Sequence, residues 1–573
     1  MKVFEQMQQS LREKYPDVDK EWLWQSEILN QQVDKTGLDK NFLITAPWEE
    51  TQSFEEAFGN NKKDADQKEA MLLALAKFVD HCSEKKQFWY VIPTDRLHIS
   101  QEGKFYFDWE KFNNFCVKDE LWIPKEISEK YGEFFPKSLS SGKIDWKLLN
   151  ANLAVEAFFQ QMLRLMIPKI PPISKMPLGR SLLAGLTKLG LYPEEKYFLL
   201  KSNRDLSPYK TCQSLLEAYL QSRKASVFLP KENSPRLWDV AFHTEHGRNK
   251  KTQQNEDDYF FIQNEEKNGL VFLVADGVST ATVGTGKKAS TRLRESIENQ
   301  KLSLRTFLNE LDNFEKAMFL QKAKEKITEL LEKANTEILK ELNWQAQINN
   351  EPNYPMSTTV ILGVIHNNRA MLGWLGDSHL FYYQDHKLMQ FLEEHNVLYQ
   401  RVCDYLENPS SAGFPLSQMN DKALTHSLPM FRYEPATQNF ENAWNPEAIS
   451  FISFYPEENA LLIPASDGLL DCFGGNTDPL SGEKALQSSL ESLLHKGLKL
   501  TELTRKIARE ADDKAGIDNI TLLILKSEKK MPASTHKPSS TSQQVAHSHD
   551  RIHHQNEKHE QKSRIKPSNV KEL

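Results

Sequence analysis

In the second half of this 573-residue chain, apolar runs of strand length repeatedly end or begin on a carboxylate set among Gly, Ser or Asn. Glu256 and Asp257 stand just before Tyr259–Ile262, and after a turn at Asn264–Gly269 the run Leu270–Ala275 ends in Asp276-Gly277. Thr358–Ile365 turns at His366-Asn367-Asn368 and returns through Ala370–Leu375 to Gly376-Asp377-Ser378. Ala460–Ala465 ends in Ser466-Asp467-Gly468, and Asp518-Asn519 opens Ile520–Leu525. In an antiparallel hairpin the start of one strand and the end of the next share an edge, which predicts Glu256, Asp257 and Asp276 as neighbours. Carboxylates gathered at one edge repel one another unless a cation binds them. Taken singly, each motif is ordinary turn chemistry. Five acidic strand edges in one domain are not so easily explained, and hard oxygen donors without nearby His or Cys suit Mg²⁺ or Mn²⁺ rather than zinc.

Between these strands, with a further candidate at Leu380–Tyr383, Ala323, Ile327, Leu330, Ala334, Ile338 and Leu342 recur at three- and four-residue spacing, the apolar face of a long helix. The region therefore reads as α+β, sheets covered by helices. Ahead of it, Ser222 to Arg236 carries two prolines and mixed charges, separating a strand-like pattern from the helical periodicity of Glu69–Cys82, Asn152–Met166 and Thr211–Gln221. This predicts a mainly helical domain over 1–222, a linker over 223–236, a second domain over 237–528 and a disordered tail over 529–573. The tail holds nine Lys and Arg, four Asp and Glu and six His, with few large apolar residues to offset chain entropy.

A formal charge of −7 supplies no basic field for a polyphosphate backbone, so no nucleic-acid partner is expected. The most apolar stretch, Leu153 to Ile173, is broken by charges and prolines, and no membrane span is expected. Five scattered cysteines without a C-x-x-C pair suggest a reducing, cytoplasmic setting. The Lys-, Gln- and Asn-rich composition suggests a bacterial protein, and the polar tail would suit export into a host cell as an effector.

Taken in order, Asn255-Glu256-Asp257, Val274-Ala275-Asp276-Gly277 with Gly286 and Ala289-Ser290, Ser357-Thr358-Thr359, Gly376-Asp377-Ser378, Ala465-Ser466-Asp467-Gly468 and Asp518-Asn519-Ile520-Thr521 resemble the signature of the metal-dependent Ser/Thr protein phosphatases of the 2C class (PPM/PP2C). The resemblance spans roughly Leu237 to Lys526. It implies an α-β-β-α sandwich of two antiparallel sheets flanked by helices, with two Mn²⁺ or Mg²⁺ ions in a cleft at one end. Carried over by motif, Asp276 bridges both ions, Glu256 and the Gly277 carbonyl lie on one side, and Asp467 and Asp518 lie on the other. Asp257 holds water, Asp377 helps bind a third, weaker ion, and Phe391 to His426 contains a flap. The implied activity is hydrolysis of phosphoserine and phosphothreonine in a phosphoprotein by in-line attack of a water bridging the ions, with Asp276, Asp257 and Asp467 as catalytic residues.

Two departures bear on that expectation. The arginine that commonly grips the phosphate, four residues before the motif glutamate, is here Thr252, leaving Arg248, Lys250 or Lys251 to reach in; Arg248 and Lys251 are taken as the substrate-binding pair. The histidine that often follows Asp-Gly is missing, the chain reading Val278-Ser279-Thr280-Ala281. The alternative is thus a pseudophosphatase that binds phosphoproteins without turnover.

In the first half, Asp95-Arg96-Leu97-His98-Ile99, then Phe105-Tyr106-Phe107-Asp108-Trp109-Glu110 and later Arg204-Asp205-Leu206-Ser207-Pro208 weakly resemble segments of a protein-kinase C-lobe. A Gly-rich loop and a His-Arg-Asp triplet are missing, so a degenerate kinase fold without activity, or a plain helical domain that binds a protein partner, is expected there.

Overall fold

The computed structural model describes most of residues 191–529, apart from short interruptions and the stretch 402–422. Ahead of them it describes residues 51–59, 65–84 and 151–166 and short pieces between 88 and 117. The early elements are β1 (Thr51–Ser53), α1 (Phe54–Gly59), α2 (Ala65–Glu84), β2 (Phe88–Trp89), β3 (Leu97–Ser100), β4 (Phe105–Phe107), β5 (Cys116–Val117), α3 (Ala151–Met166), α4 (Pro193–Arg204) and α5 (Cys212–Lys224). All three helices expected from periodicity are present. Leu72, Leu75 and Val79 of α2, Phe158 and Met162 of α3, and Leu215 and Tyr219 of α5 are buried. Asp80 of α2 caps α5, accepting from the Cys212 and Gln213 amides at 2.6 and 2.9 Å and satisfying two otherwise orphaned helix N–H groups. The expected hairpin is β3–β4, with β1 on its other edge. Asp95-Arg96, Asp108-Trp109-Glu110 and Asp205 lie outside the described residues, as do the tail from 530 onward and Thr252.

The second region runs β6 (Arg236–Glu245), β7 (Asp258–Gln263), β8 (Gly269–Ala275), α6 (Gly286–Glu298), α7 (Lys301–Glu310), α8 (Lys316–Ile348), β9 (Val360–His366), β10 (Arg369–Leu375), β11 (His379–Gln384), β12 (Lys387–Gln390), β13 (Phe431–Glu434), β14 (Asn439–Asn442), β15 (Ser450–Phe454), β16 (Leu461–Ala465), α9 (Asp467–Cys472), α10 (Pro479–Leu494), α11 (Leu500–Lys514) and β17 (Ile520–Lys529). Two five-stranded sheets form, ordered β15-β10-β9-β8-β7 and β12-β11-β16-β17-β6, with the pairings inside both antiparallel.

The strands read as continuous apolar runs because both faces of each sheet are covered. Along β8 the side chains alternate. Leu270, Phe272 and Val274 meet Leu372 and Leu380, Leu462, Leu523 in the layer between the sheets, whereas Val271, Leu273 and Ala275 pack on Leu293 of α6 and Ile327 and Leu330 of α8. On the outer face of the other sheet, Phe381, Ile463, Leu522 and Ile524 meet Leu486 and Leu490 of α10 and Leu503 and Ile507 of α11. The result is the expected α-β-β-α sandwich.

The segment expected as a linker is instead packed onto the sandwich. Ser226 and Val227 are buried, the Tyr455 amide donates to the Val227 carbonyl at 2.7 Å, and the Phe228 ring meets Phe391 and Phe454 at centroid distances of 4.8 and 5.9 Å. The sandwich also begins and ends one residue beyond the expected limits, since Arg236 and Lys529 pair in the β6–β17 ladder. Among the described residues no helix is long and apolar enough to cross a membrane.

Candidate metal centre

Antiparallel register delivers the acids to one end of the sandwich. Asp258 pairs with Ala275, so Asp257 precedes β7 where Asp276 follows β8. His379 pairs with Ala465, so Asp377 and Asp467 flank the same edge of the facing sheet. Asp518 enters that edge just ahead of β17.

Backbone approaches too close for a side chain draw these edges together. A Cβ on Gly277 would lie 2.3 Å from the Gly286 carbonyl carbon, and one on Gly468 would lie 2.0 Å from the Asn519 carbonyl oxygen. Glycine is required at both crossings. The start of α6, where the Thr285 hydroxyl accepts from the Lys288 amide, thereby seats on the Asp276-Gly277 turn, and α9 seats on the strand-opening Asp518-Asn519.

Hydroxyls and one amide fix the acid-bearing backbone. The Asp276 amide donates to Thr359 Oγ1 at 3.0 Å, and its carbonyl accepts from Thr358 Oγ1 at 2.9 Å. Asn519, beside Asp518, ties three chain segments: its Oδ1 accepts from the Glu256 amide at 2.9 Å and its Nδ2 donates to the His246 carbonyl at 2.6 Å. Ser290 Oγ donates to the Glu256 carbonyl at 2.6 Å, and Ser279 hydrogen-bonds Glu256 Oε2.

The carboxylates bear on one another. Enclosure by protein pushes the Asp276 carboxyl well above the usual range, and the charges of Asp257, Asp467 and Asp518 push the same way. Asp257, 3% exposed, is pushed up to about 6, chiefly by burial and against the hydrogen bond from Ser466 Oγ, which reaches its Oδ2 at 2.8 Å. Its other oxygen, Oδ1, is buried without a hydrogen-bond partner. Burial and Asp467 raise Asp518 likewise, with Lys250 opposing. Glu256 and Asp377 are buried at the same end.

The structure selects among the three basic residues of the preceding loop. Arg248 turns to Asp512 and Asp513 of α11, and Lys251, the other residue of the expected substrate-binding pair, is exposed on the same loop. Lys250 goes inward. Its ammonium hydrogen-bonds Asp518 Oδ1 and lies 3.8 Å from Glu256 Oε2, with its side chain only 8% exposed. Burial opposes its charge, but Asp518, Asp276 and Asp257 together hold its pKa above the usual lysine value. The turn geometry decides this: Gly247 has φ +80° and its backbone abuts the Asp518 carbonyl, and the Asn249 amide donates to Gly516 O at 2.8 Å.

The donor set is chemically suited to hard divalent ions: oxygen ligands only, mutual repulsion, and an orphaned buried carboxylate oxygen at Asp257. Among the described residues the side chains are not gathered as a ready-made chelate of three; a lysine ammonium stands among them.

Residues 246–494 match the family model described as Protein phosphatase 2C. Solved structures that this chain resembles include the catalytic domain of the serine/threonine protein phosphatase PstP in complex with two manganese ions (17% identity, 51% of this chain and 100% of that one, TM-score 0.34). The S. agalactiae serine/threonine phosphatase is similar at 16% identity, covering 51% and 100%, with a TM-score of 0.35. Stp1 from Staphylococcus aureus is similar at 16% identity, covering 52% and 98%, with a TM-score of 0.36. No curated protein matches the chain. By the family model and by its layered sheets, the C-terminal half of this chain is a domain of the protein phosphatase 2C type, a class of metal-dependent Ser/Thr protein phosphatases.

Proposed function

We propose that this domain hydrolyses phosphoserine and phosphothreonine in protein substrates at the carboxylate rim. The observation that carries the reading is the convergence of Asp257, Asp276, Asp467 and Asp518, drawn from four separate chain segments, into mutual electrostatic contact. A fold that gathers several carboxylates of like charge loses stability by doing so, and cation-dependent chemistry is the return on that loss.

Asp276, Glu256 and the Gly277 carbonyl would hold one Mn²⁺ or Mg²⁺, Asp276, Asp467 and Asp518 a second, and Asp377 would help hold a third, weaker ion. Such ions neutralise a phosphate that carries nearly two negative charges and acidify water at neutral pH. The protein's own part begins with Asp257. Ser466 holds its Oδ2, leaving Oδ1 to accept a hydrogen bond from the attacking water and so to orient it in line with the serine or threonine leaving oxygen. Ser279 and Asn519 keep Glu256 in place. Lys251, exposed on the loop beside the rim, can meet the phosphoprotein's charge, whereas Arg248 is engaged with α11. A thiol nucleophile is not needed, and Cys472, whose thiol burial pushes up, is poorly suited to be one.

A second reading, a domain that binds phosphoproteins without turnover, draws on one observation: Lys250 already neutralises part of the acid cluster. Hydrolysis of a phosphothreonine peptide by the full chain, with Mn²⁺ and with EDTA, separates the two. We expect Mn²⁺-dependent turnover that Asp276→Ala reduces at least about a thousandfold, or ~4 kcal/mol in transition-state stabilisation. Turnover untouched by that substitution rejects the site. Calorimetric Mn²⁺ binding with no hydrolysis across several phosphopeptides supports the binding module.

A further inference from the structure

Lys250 stands at the rim and has no part in the proposed chemistry. Its ammonium lies where a divalent ion would find its ligands, against Asp518 and Glu256, on a side chain 8% exposed. The loop that carries it is fixed at its base, with the Lys250 amide donating to the Gly247 carbonyl at 3.0 Å and Asn249 bonded to Gly516. The placement is therefore built by backbone, not by a wandering surface side chain. The ammonium sits on a flexible four-carbon stem that can swing out without moving the backbone. One positive charge only partly offsets Asp257, Asp276, Asp467 and Asp518, and Asp257 Oδ1 is left buried and unpaired.

We propose that Lys250 is a built-in counter-cation of the carboxylate cluster, which holds the metal-free protein together and which a divalent ion must displace to bind. This rests on the reading that the cluster takes divalent ions. Two consequences follow from charge alone. Removing the ammonium leaves acids uncompensated and destabilises the metal-free protein. It also frees Asp518 and Glu256 for an incoming ion, so affinity for that ion rises. Lys250 thus sets the metal concentration at which the domain becomes loaded.

The test is Mn²⁺ titration of the full chain by calorimetry, with thermal melts of the metal-free forms, for the wild type, Lys250→Met and Lys250→Arg. We expect Lys250→Met to bind Mn²⁺ at least tenfold more tightly and to melt at lower temperature without metal, whereas Lys250→Arg stays close to the wild type in affinity. A Met variant that binds Mn²⁺ no more tightly than wild type overturns the proposal, and so does an Arg variant that binds as tightly as the Met one. A Met variant that folds only when Mn²⁺ is added supports it. In the unmutated chain, acylation of Lys250 by an amine reagent, followed by mass spectrometry, should rise on saturation with Mn²⁺; unchanged or reduced labelling overturns displacement. Failure of both wild type and Met variant to bind Mn²⁺ rejects the metal-site reading together with this one, whereas a wild type that binds beside an unaltered Met variant rejects this one alone.

Discussion

The two ends of the sandwich are made by the same hairpins and furnished with opposite chemistry. At the end away from the acids, the β7–β8 and β9–β10 turns carry asparagines. Asn264 Nδ2 donates to Asn268 Oδ1 at 2.6 Å, Asn264 Oδ1 accepts from the Gly269 amide at 2.9 Å, and the Asn367 amide donates to the Asn268 carbonyl at 2.8 Å. Asn368 clasps the incoming chain, accepting from the Ser234 amide and donating to the Glu232 carbonyl at 2.9 and 2.8 Å. At the acid end the equivalent positions carry carboxylates that raise one another's pKa and leave Asp257 Oδ1 without a partner. Neutral amides satisfied by one another stabilise a turn. Charges of one sign crowded together destabilise it, and that asymmetry separates the end that holds the fold from the end that does its chemistry.

The contrast is broken most severely by a single methyl group. Gly468→Ala places a Cβ 2.0 Å from the Asn519 carbonyl oxygen, so α9 and the Asp518-Asn519 strand start must separate. We expect a loss of about 3 kcal/mol in urea denaturation, together with loss of Mn²⁺ binding, because Asp467 and Asp518 move apart. At the other end, the first contacts of a Cβ on Gly269 are with Asn264 and Leu308 at 3.3 Å. Gly269→Ala should stay within about 1 kcal/mol and leave Mn²⁺ affinity unchanged. Equal losses in the two variants would mean that the acid end is not the tighter assembly.

A smaller effect belongs to the packed segment around Val227 and Phe228. Phe228→Ala removes a ring seated against Phe391 and Phe454 and should cost about 2 kcal/mol, without changing Mn²⁺ affinity. A shift in metal affinity would show that this segment communicates with the rim.

These comparisons also explain what could be read from the chain before folding. The buried strands were legible because runs such as Leu270–Ala275 are apolar on both faces, and the rim was legible because its acids sit at strand ends where register must align them. Strand β6 was harder to see: Asp239, Thr244 and Glu245 interrupt its apolar positions, since it lies at a sheet edge with one face partly open. The linker expectation failed for a similar reason, as Val227 and Phe228 are two apolar residues amid prolines and charges, and only the aromatic pocket they enter reveals their purpose. Arg248, Lys250 and Lys251 are equivalent as loop charges until the left-handed backbone at Gly247 and the Asn249–Gly516 hydrogen bond decide which one turns inward. The glycine was the available signal. Asn519 could have been found from its place beside Asp518, but its three-way tie depends on contacts more than 250 residues apart in sequence.

The smallest expected effect comes from a pair of buried histidines, one at each end. His366, beside the asparagine turns, is lowered by burial, but the Asp312 carboxylate, 2.9 Å away, works against that shift. His395, at the acid end, has no such relief. It accepts from the Gly376 amide through Nδ1, meets Ser450 Oγ at 2.9 Å through Nε2, and stacks on Trp374. Burial, reinforced by His426, pushes its imidazole down to about 4. Above the ordinary histidine value of ~6.5 the ring is neutral in folded and unfolded chains alike, so it contributes no pH dependence. As pH falls below that value the unfolded chain takes up a proton that the folded chain refuses, and stability is lost until the folded value is reached. By pH 5.5 this amounts to about 1 kcal/mol relative to pH 7. Denaturation curves at the two pH values should therefore converge by about that amount in His395→Gln, and by less in His366→Gln, where Asp312 already offsets the burial. A larger effect from His366 would reverse the assignment of the acid-sensitive end.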